Sequence, residues 1–110
     1  MSAIGSKDLC VRFIAKATAE LAAVDRNTAP LKDDEVEGPT LVSLVSAGTE
    51  VVGAYANFNA ATPAIPGYAA VFEVETTGRA VSDLRPGDLV LFFGQHRSRQ
   101  RAARGDVLKL

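Results

Sequence analysis

Apolar side chains in this chain recur with a period of two much more often than with the 3.6-residue period of a helix. Successive side chains of a β-strand point to opposite faces, so this alternation is typical of strands. Strands are predicted at residues 9–14, 19–24, 40–46, 68–75, 89–93 and 107–110, the fifth of them buried on both faces. Gly- and Pro-rich turns separate them, which predicts a mainly β fold, a small antiparallel barrel or sandwich.

The segments between these strands carry their own local signals. Residues 31–37 contain an acidic cluster and are predicted as a solvated loop that leads into a strand. Residues 47–50 break the strand before them, and residues 51–57 have an ambiguous pattern that could form a helical turn. In residues 84–88, Pro86 presets φ and Gly87 can take positive φ, which predicts a type II turn.

The length and composition exclude several classes of protein. A chain of 110 residues is one domain by size, and its single Cys and single His exclude a disulfide or a zinc site rich in these ligands. Cys10 is expected to act as a small buried hydrophobe. No apolar run approaches the length of a membrane span and residues 1–8 lack the apolar core of a signal peptide, so a cytoplasmic protein without a membrane partner is expected.

Positive charge is concentrated in the last twenty residues. Residues 91–110 carry five Lys and Arg against one acid, whereas residues 1–90 carry a net charge of −5. Arg97, Arg99 and Arg101 alternate, so a strand would place all three on one face. They could meet phosphate, an acidic partner or a cofactor domain, but a solvated strand face is the favoured interpretation. No aromatic residues interleave them as in a nucleic-acid surface, so no nucleic-acid partner is expected.

The order of the motifs is more specific than any one of them. Ser46-Ala47-Gly48-Thr49-Glu50 is followed by Pro66-Gly67-Tyr68-Ala69-Ala70-Val71, then by Asp83-Leu84-Arg85-Pro86-Gly87-Asp88, then by Gly94-Gln95-His96. This succession resembles the GroES-like N-terminal domain of the medium-chain dehydrogenase/reductase superfamily, the alcohol dehydrogenase relatives. The resemblance implies a GroES-like, partly open β-barrel over residues 9–110, with one or two short helical turns, after an N-terminal extension at 1–8.

The chain departs from the zinc-dependent members of that superfamily at three positions. The resemblance places Ala47, Tyr68 and Ala69 where those members have cysteine, histidine and glutamate. It therefore implies a zinc-independent oxidoreductase whose pocket polarises a carbonyl with hydrogen-bond donors, and no metal is expected. The sequence also contains no G-x-G-x-x-G turn, so no cofactor is expected to bind this chain, although NAD(P) is implied for a full-length relative.

Four residues are candidates for the site, each beside a simpler alternative. The resemblance gives the Thr49 hydroxyl the role of relaying a proton at the substrate oxygen. The alternative is that Thr49 only caps a turn. Tyr68 is a candidate donor to a substrate carbonyl, or a packed aromatic. His96, the only histidine, is a candidate acid or base, or a structural residue. Glu50 could orient a donor, for example by bonding Tyr68, or lie on the surface.

Three functions are compatible with these observations. The first is the substrate-side domain of an NAD(P)-dependent oxidoreductase, inactive until a Rossmann-type cofactor domain completes the pocket around a small-molecule substrate. The second is a stand-alone binding or assembly module that self-associates through the apolar face left uncovered. The third is a co-chaperonin-like role, weakened because no long apolar loop is evident and because fold alone does not give function.

Overall fold

The computed structural model of this chain describes residues 7–59, 62 and 65–110. Its described part contains eight strands and two short helical segments. The strands are β1 (Lys7–Ala15), β2 (Thr18–Asp25), β3 (Glu35–Leu44), β4 (Ala69–Glu73), β5 (Thr76–Thr77), β6 (Leu89–Phe92), β7 (Arg99–Ala103) and β8 (Val107–Lys109). A π-type helix, α1 (Ala47–Ala56), follows β3, and a 3₁₀ turn, Arg104–Asp106, joins β7 to β8.

One long strand, β3, organises the larger sheet. Its residues 35–39 pair with β7, and two of these also pair with β5, whereas residues 40–44 pair with β4. From β4 the sheet continues through β6 to β8. Every strand pair in the described residues is antiparallel, and the sheets stay open instead of closing into a complete barrel. The predicted fold class, a mainly β, partly open GroES-like barrel, is confirmed.

The hairpin of β1 and β2 joins this sheet through a few backbone contacts. The N–H of Val11 donates to the carbonyl of His96 at 3.0 Å, and the N–H of Ser98 donates to the carbonyl of Leu9 at 2.8 Å. Cys10 lies opposite Arg97 in the same bridge and is buried, as predicted. The hairpin therefore meets the rest of the domain beside the only histidine.

The hydrophobic core lies between the two halves of the larger sheet. Its buried members are Val36, Phe72, Val74, Leu84, Val90, Ala102 and Val107. The predicted type II turn closes one end, because Gly87 has φ +98° and the N–H of Asp88 donates to the carbonyl of Arg85 at 3.0 Å. Leu84, which comes just before this turn, is only 3% exposed and anchors the turn to the core.

Several local predictions are wrong. β3 already begins at Glu35, because the acidic segment pairs with β7, so residues 35–37 are strand and not loop. In contrast, the predicted break of the strand at 47–50 is confirmed, since β3 ends at Leu44 and α1 begins at Ala47. Residues 89–93 are not buried on both faces, since Val90 is fully buried but Phe93 is 76% exposed. The arginines of β7 are not on a solvated face, because Arg99 is only 15% exposed in its side chain.

Candidate active-site cleft

A cleft of about 330 Å³ opens where the β1–β2 hairpin, the end of β3 and α1 meet. Most of its wall is apolar, and the polar side chains on it belong to Ser43, Glu50, Tyr55 and His96. The apolar wall consists of Val11, Phe13, Val45, Val51 and Pro66. A concave, mostly apolar site with a few converging polar groups is the usual form of a small-molecule pocket.

Three of these polar side chains form one continuous hydrogen-bonded row. The Nδ1 atom of His96 lies 2.7 Å from the Ser43 hydroxyl, and its Nε2 atom lies 3.0 Å from Glu50 Oε1. His96 and Glu50 are 9% and 4% exposed, whereas Ser43 is exposed. The row therefore runs from a buried carboxylate through a buried imidazole to a hydroxyl at the surface of the cleft.

The geometry around Glu50 decides the roles in this row. Glu50 Oε2 accepts the backbone N–H of Ser46 at 2.9 Å, as a carboxylate does, and an ionised carboxylate can only accept. The proton of a neutral His96 is then on Nε2, where it is donated to Glu50, and Nδ1 is left to accept the Ser43 O–H. A carboxylate that fixes the tautomer and orientation of an imidazole in this way is a recurrent device of catalytic sites.

Backbone contacts hold His96 in place from the other side. Its N–H donates to the carbonyl of Pro66 at 2.9 Å. Gly67 follows with φ +140°, and a Cβ there would lie 2.5 Å from the backbone nitrogen of His96. Only glycine allows the two segments to approach so closely.

Glu50 owes its position to the unusual helix that carries it. The N–H groups of Glu50 and Val51 both donate to the carbonyl of Ser46, at 3.0 and 3.2 Å, so α1 begins with a widened turn. Widened turns of this π type often occur at functional sites. Here the turn brings the Glu50 carboxylate back over Ser46 and towards His96.

The structure brings some of the predicted site residues together. Glu50 and His96 meet in the cleft, so the surface alternative for Glu50 is wrong, and its carboxylate bonds His96 instead of Tyr68. Tyr68 lies outside the lining of the cleft, 47% exposed, with its ring 6.5 Å from that of Phe93. The side chain of Thr49 lies outside what the structure describes. The catalytic roles of Thr49, Tyr68 and His96 stay predictions.

Sequence reasoning missed Ser43 and Tyr55. Ser43 is the one polar residue on its face of the predicted strand 40–46, between Leu41 and Val45, and that alternation could have singled it out. Tyr55 belongs to α1 and packs its ring against Phe13 at 5.6 Å. Its place in the cleft depends on the path of the helix, for which the sequence has no periodic signal.

The positions that correspond to the zinc ligands lie elsewhere. Ala47 begins α1 and Ala69 begins β4, and neither lines the cleft. Within the described residues, no group of three or more His, Cys, Asp or Glu side chains is arranged to hold a metal ion. Within the same part of the chain, no helix has the length and apolar character needed to cross a membrane.

The fold is that of a GroES-like domain of the kind found in medium-chain dehydrogenase/reductase enzymes, which confirms the resemblance at the level of the fold. No family model and no curated protein matches the chain. Solved structures do match it. A mutant form of enoyl thioester reductase from Candida tropicalis is 24% identical, with a TM-score of 0.72 over 94% of this chain and 34% of its own.

Two further solved structures also match the fold over nearly the whole of this chain. A complex of Etr1p with NADP and crotonyl-CoA is 24% identical, with a TM-score of 0.69 over 94% of this chain and 34% of its own. A putative alcohol dehydrogenase from Sinorhizobium meliloti is 18% identical, with a TM-score of 0.64 over 99% of this chain and 39% of its own. The chain therefore spans little more than a third of the length of the proteins it resembles.

Proposed function

We propose that this chain is the substrate-side domain of a zinc-independent oxidoreductase that reduces a carbonyl or a carbon–carbon double bond conjugated to one. The observation that carries the proposal is the row from Glu50 through His96 to the exposed hydroxyl of Ser43, at the wall of an apolar cleft. Reduction of a carbonyl compound needs a donor at the oxygen and a proton. The Ser43 O–H and the imidazole behind it can provide both without a metal.

The roles of the three residues follow from their order. Ser43 donates its hydrogen to the substrate oxygen as negative charge develops there. His96, once it has taken a proton from solvent at Nδ1, passes that proton to the Ser43 oxygen and returns to its neutral form. Glu50 holds Nε2–H and stabilises the imidazole. Aliphatic groups of a substrate would lie against Val45 and Val51. An enoyl thioester, as named for one matching structure, and crotonyl-CoA, as named for another, belong to this substrate class.

The described residues do not form the kind of site that binds a dinucleotide cofactor. Such cofactors bind to parallel βαβ units through a glycine-rich turn, and here all described strand pairs are antiparallel. We therefore propose that NAD(P) is held by a second, Rossmann-type domain, where it would supply the hydride. The exposed end of β3 supports this view, since Leu41, Val42, Leu44 and Val45 are 50–61% exposed and would suit coverage by another domain.

Binding measurements on the 110-residue chain test this proposal. Isothermal titration with NADPH should show no saturable binding up to about 1 mM, whereas 2-cyclohexenone should shift the His96 ring resonances in a saturable way. Ser43→Ala should weaken that binding, and Ser82→Ala, an exposed serine away from the cleft, should leave it unchanged. Micromolar NADPH affinity, or enone binding indifferent to Ser43→Ala, would contradict the proposal.

The same exposed apolar end of β3 favours a second candidate, a module that self-associates. Sedimentation velocity over a range of concentrations tests it. A concentration-dependent dimer that the substitution Val42→Thr weakens would support assembly through this face. A monomer at all concentrations would leave the oxidoreductase domain as the only proposal.

A further inference from the structure

A second cavity is separate from the active-site cleft. It has a volume of about 470 Å³ and lies where the outer face of β7 meets the end of the β1–β2 hairpin. Four arginines line it: Arg26, Arg97, Arg99 and Arg101. The alternation of the last three places their side chains on one face, as the sequence predicts.

Two of the three acidic residues in this cavity are already neutralised by arginine. Asp8 accepts from Arg26 Nε at 3.0 Å, and Glu37 accepts from Arg101 Nε at 2.9 Å and from Arg99 at 3.4 Å. Arg101 also donates to two backbone carbonyls of the segment after β2. These contacts fix the positions of the guanidinium groups. The carboxylates already accept these hydrogen bonds, so they are not available to other donors in the cavity.

Arg97 differs from the other three arginines of the cavity because it is not paired with a carboxylate of the described residues. Among the described residues its guanidinium has no hydrogen bond and no ion pair, and its Nε atom is buried without a partner. The third acid, Glu35, accepts the backbone N–H of Lys32 at 2.9 Å instead. The Nε atom of Arg99 is likewise buried and unpaired. A buried donor without a partner is unfavourable by about 1–3 kcal/mol, so such groups usually have an acceptor in the working protein.

We infer that this cavity binds a small molecule through an oxyanionic head group, a carboxylate or a phosphoryl group, received by Arg97 and Arg99. Glu75, outside the lining, accepts from Arg99 at 2.7 Å, so four carboxylates match the four arginines, and the attraction for an anion comes from the unpaired N–H donors of Arg97 and Arg99. Guanidinium groups recognise both kinds of oxyanion through paired N–H donors. Phe92 and Phe93 form part of the same wall and suit an apolar body attached to the charged group.

Arginine side-chain NMR tests the inference on the unmodified chain. The probes are benzoate and phenyl phosphate, with benzyl alcohol as the neutral counterpart and sodium chloride at matched ionic strength. We expect saturable shifts of the Nε–H resonances of Arg97 and Arg99 with at least one anion and none with the two controls. A stronger response to benzoate would identify a carboxylate site, and a stronger response to phenyl phosphate a phosphoryl site.

Two substitutions at Arg97 and one control complete the test. Arg97→Gln should weaken anion binding at least about tenfold, and Arg97→Lys, which keeps the charge but lacks Nε–H, should weaken it less. Arg79→Gln removes the same charge from an exposed pair with Asp33 and should change nothing. Shifts that do not saturate, equal shifts with sodium chloride, or affinity retained within about twofold in a folded Arg97→Gln protein would overturn the inference.

Discussion

Replacing Glu50 with glutamine tests how the row in the active-site cleft is held together. In the structure both carboxylate oxygens accept, one from His96 Nε2 at 3.0 Å and the other from the Ser46 N–H at 2.9 Å. A glutamine has one accepting oxygen and one NH₂ group. If the amide oxygen faces His96, the Ser46 N–H loses its acceptor. If it faces Ser46, the Nε2–H of His96 loses its acceptor unless the imidazole proton moves to Nδ1.

The magnitude follows from that loss. One buried unsatisfied donor destabilises the fold by about 1–3 kcal/mol, and the hydrogen bond that remains loses its charge assistance. Glu50→Ala removes both acceptors and leaves a space beside His96. Its effect should therefore be larger, about 2–6 kcal/mol for two unsatisfied donors. Urea unfolding followed by circular dichroism measures both values.

The tautomer of His96 gives a second measurement that a purely structural effect would not produce. With Glu50 in place, the ¹⁵N shifts of the imidazole should show the proton on Nε2. In Glu50→Gln the preference for that tautomer should weaken. Glu73→Gln, an exposed glutamate of β4, serves as the control and should change stability by less than about 0.5 kcal/mol. Unchanged stability and an unchanged tautomer in Glu50→Gln would refute the reasoning.

Three further predictions follow from contacts elsewhere. Gly67→Ala should destabilise the fold and shift the His96 resonances, because the new methyl group would lie 2.3 Å from the Cα atom of Gln95, next to His96. Urea unfolding measures the loss of stability and NMR measures the shift. Phe72→Ala should lower the free energy of unfolding by about 3–5 kcal/mol, since Phe72 is fully buried, and thermal melting measures it. A hydrogen bond from Arg99 lowers the pKa of Glu75 below that of the unfolded side chain. The pair therefore stabilises the fold at pH values above the unfolded pKa. This stabilisation is lost as the pH falls through the pKa of the folded state. Glu75→Gln should therefore reduce stability by about 0.2–1 kcal/mol at pH 7, a small effect because Glu75 is half exposed. The difference from wild type should shrink as the pH falls below the pKa of an unfolded glutamate, about 4.3, and vanish once the pH lies below the lowered folded pKa.

The first and the last of these predictions each have a matched control. Gly48→Ala adds the same methyl group in open space and should leave the His96 resonances in place. Asp106→Asn removes an exposed carboxylate outside any ion pair in the described residues, so its effect on stability should not change across the acidic range. A Gly67→Ala protein with wild-type His96 resonances, or a Glu75→Gln effect that persists in acid, would contradict the respective explanation.

Local chemistry made much of the fold predictable. The turn at Pro86 and Gly87 could be predicted because φ preferences act over four residues, and the alternating strands because one face of each sheet is buried. The start of β3 at Glu35 could not, because the acidic segment is a strand only through its pairing with β7, more than sixty residues further along. Tertiary pairing outweighs local polarity there.

The candidate site was only partly predictable for the same reason. His96 and Glu50 attracted attention because of their residue types and the motifs around them. Their contact and the hydroxyl of Ser43 depend on the widened first turn of α1 and on the close approach at Gly67. Neither feature follows from hydrophobic periodicity, since both are set by how segments distant in sequence meet.

The shared strand β3 also has a consequence for folding kinetics. Its first half finds its long partner only in β7, so the register from Glu35 to Ala103 joins residues that are far apart in the chain. Closing such loops loses much chain entropy before contacts compensate for it, and β-rich domains of this kind fold slowly. On the ribosome, residues 35–39 of β3 should remain without β7 until Arg99–Ala103 has emerged, which leaves that edge of the strand open to other chains during synthesis.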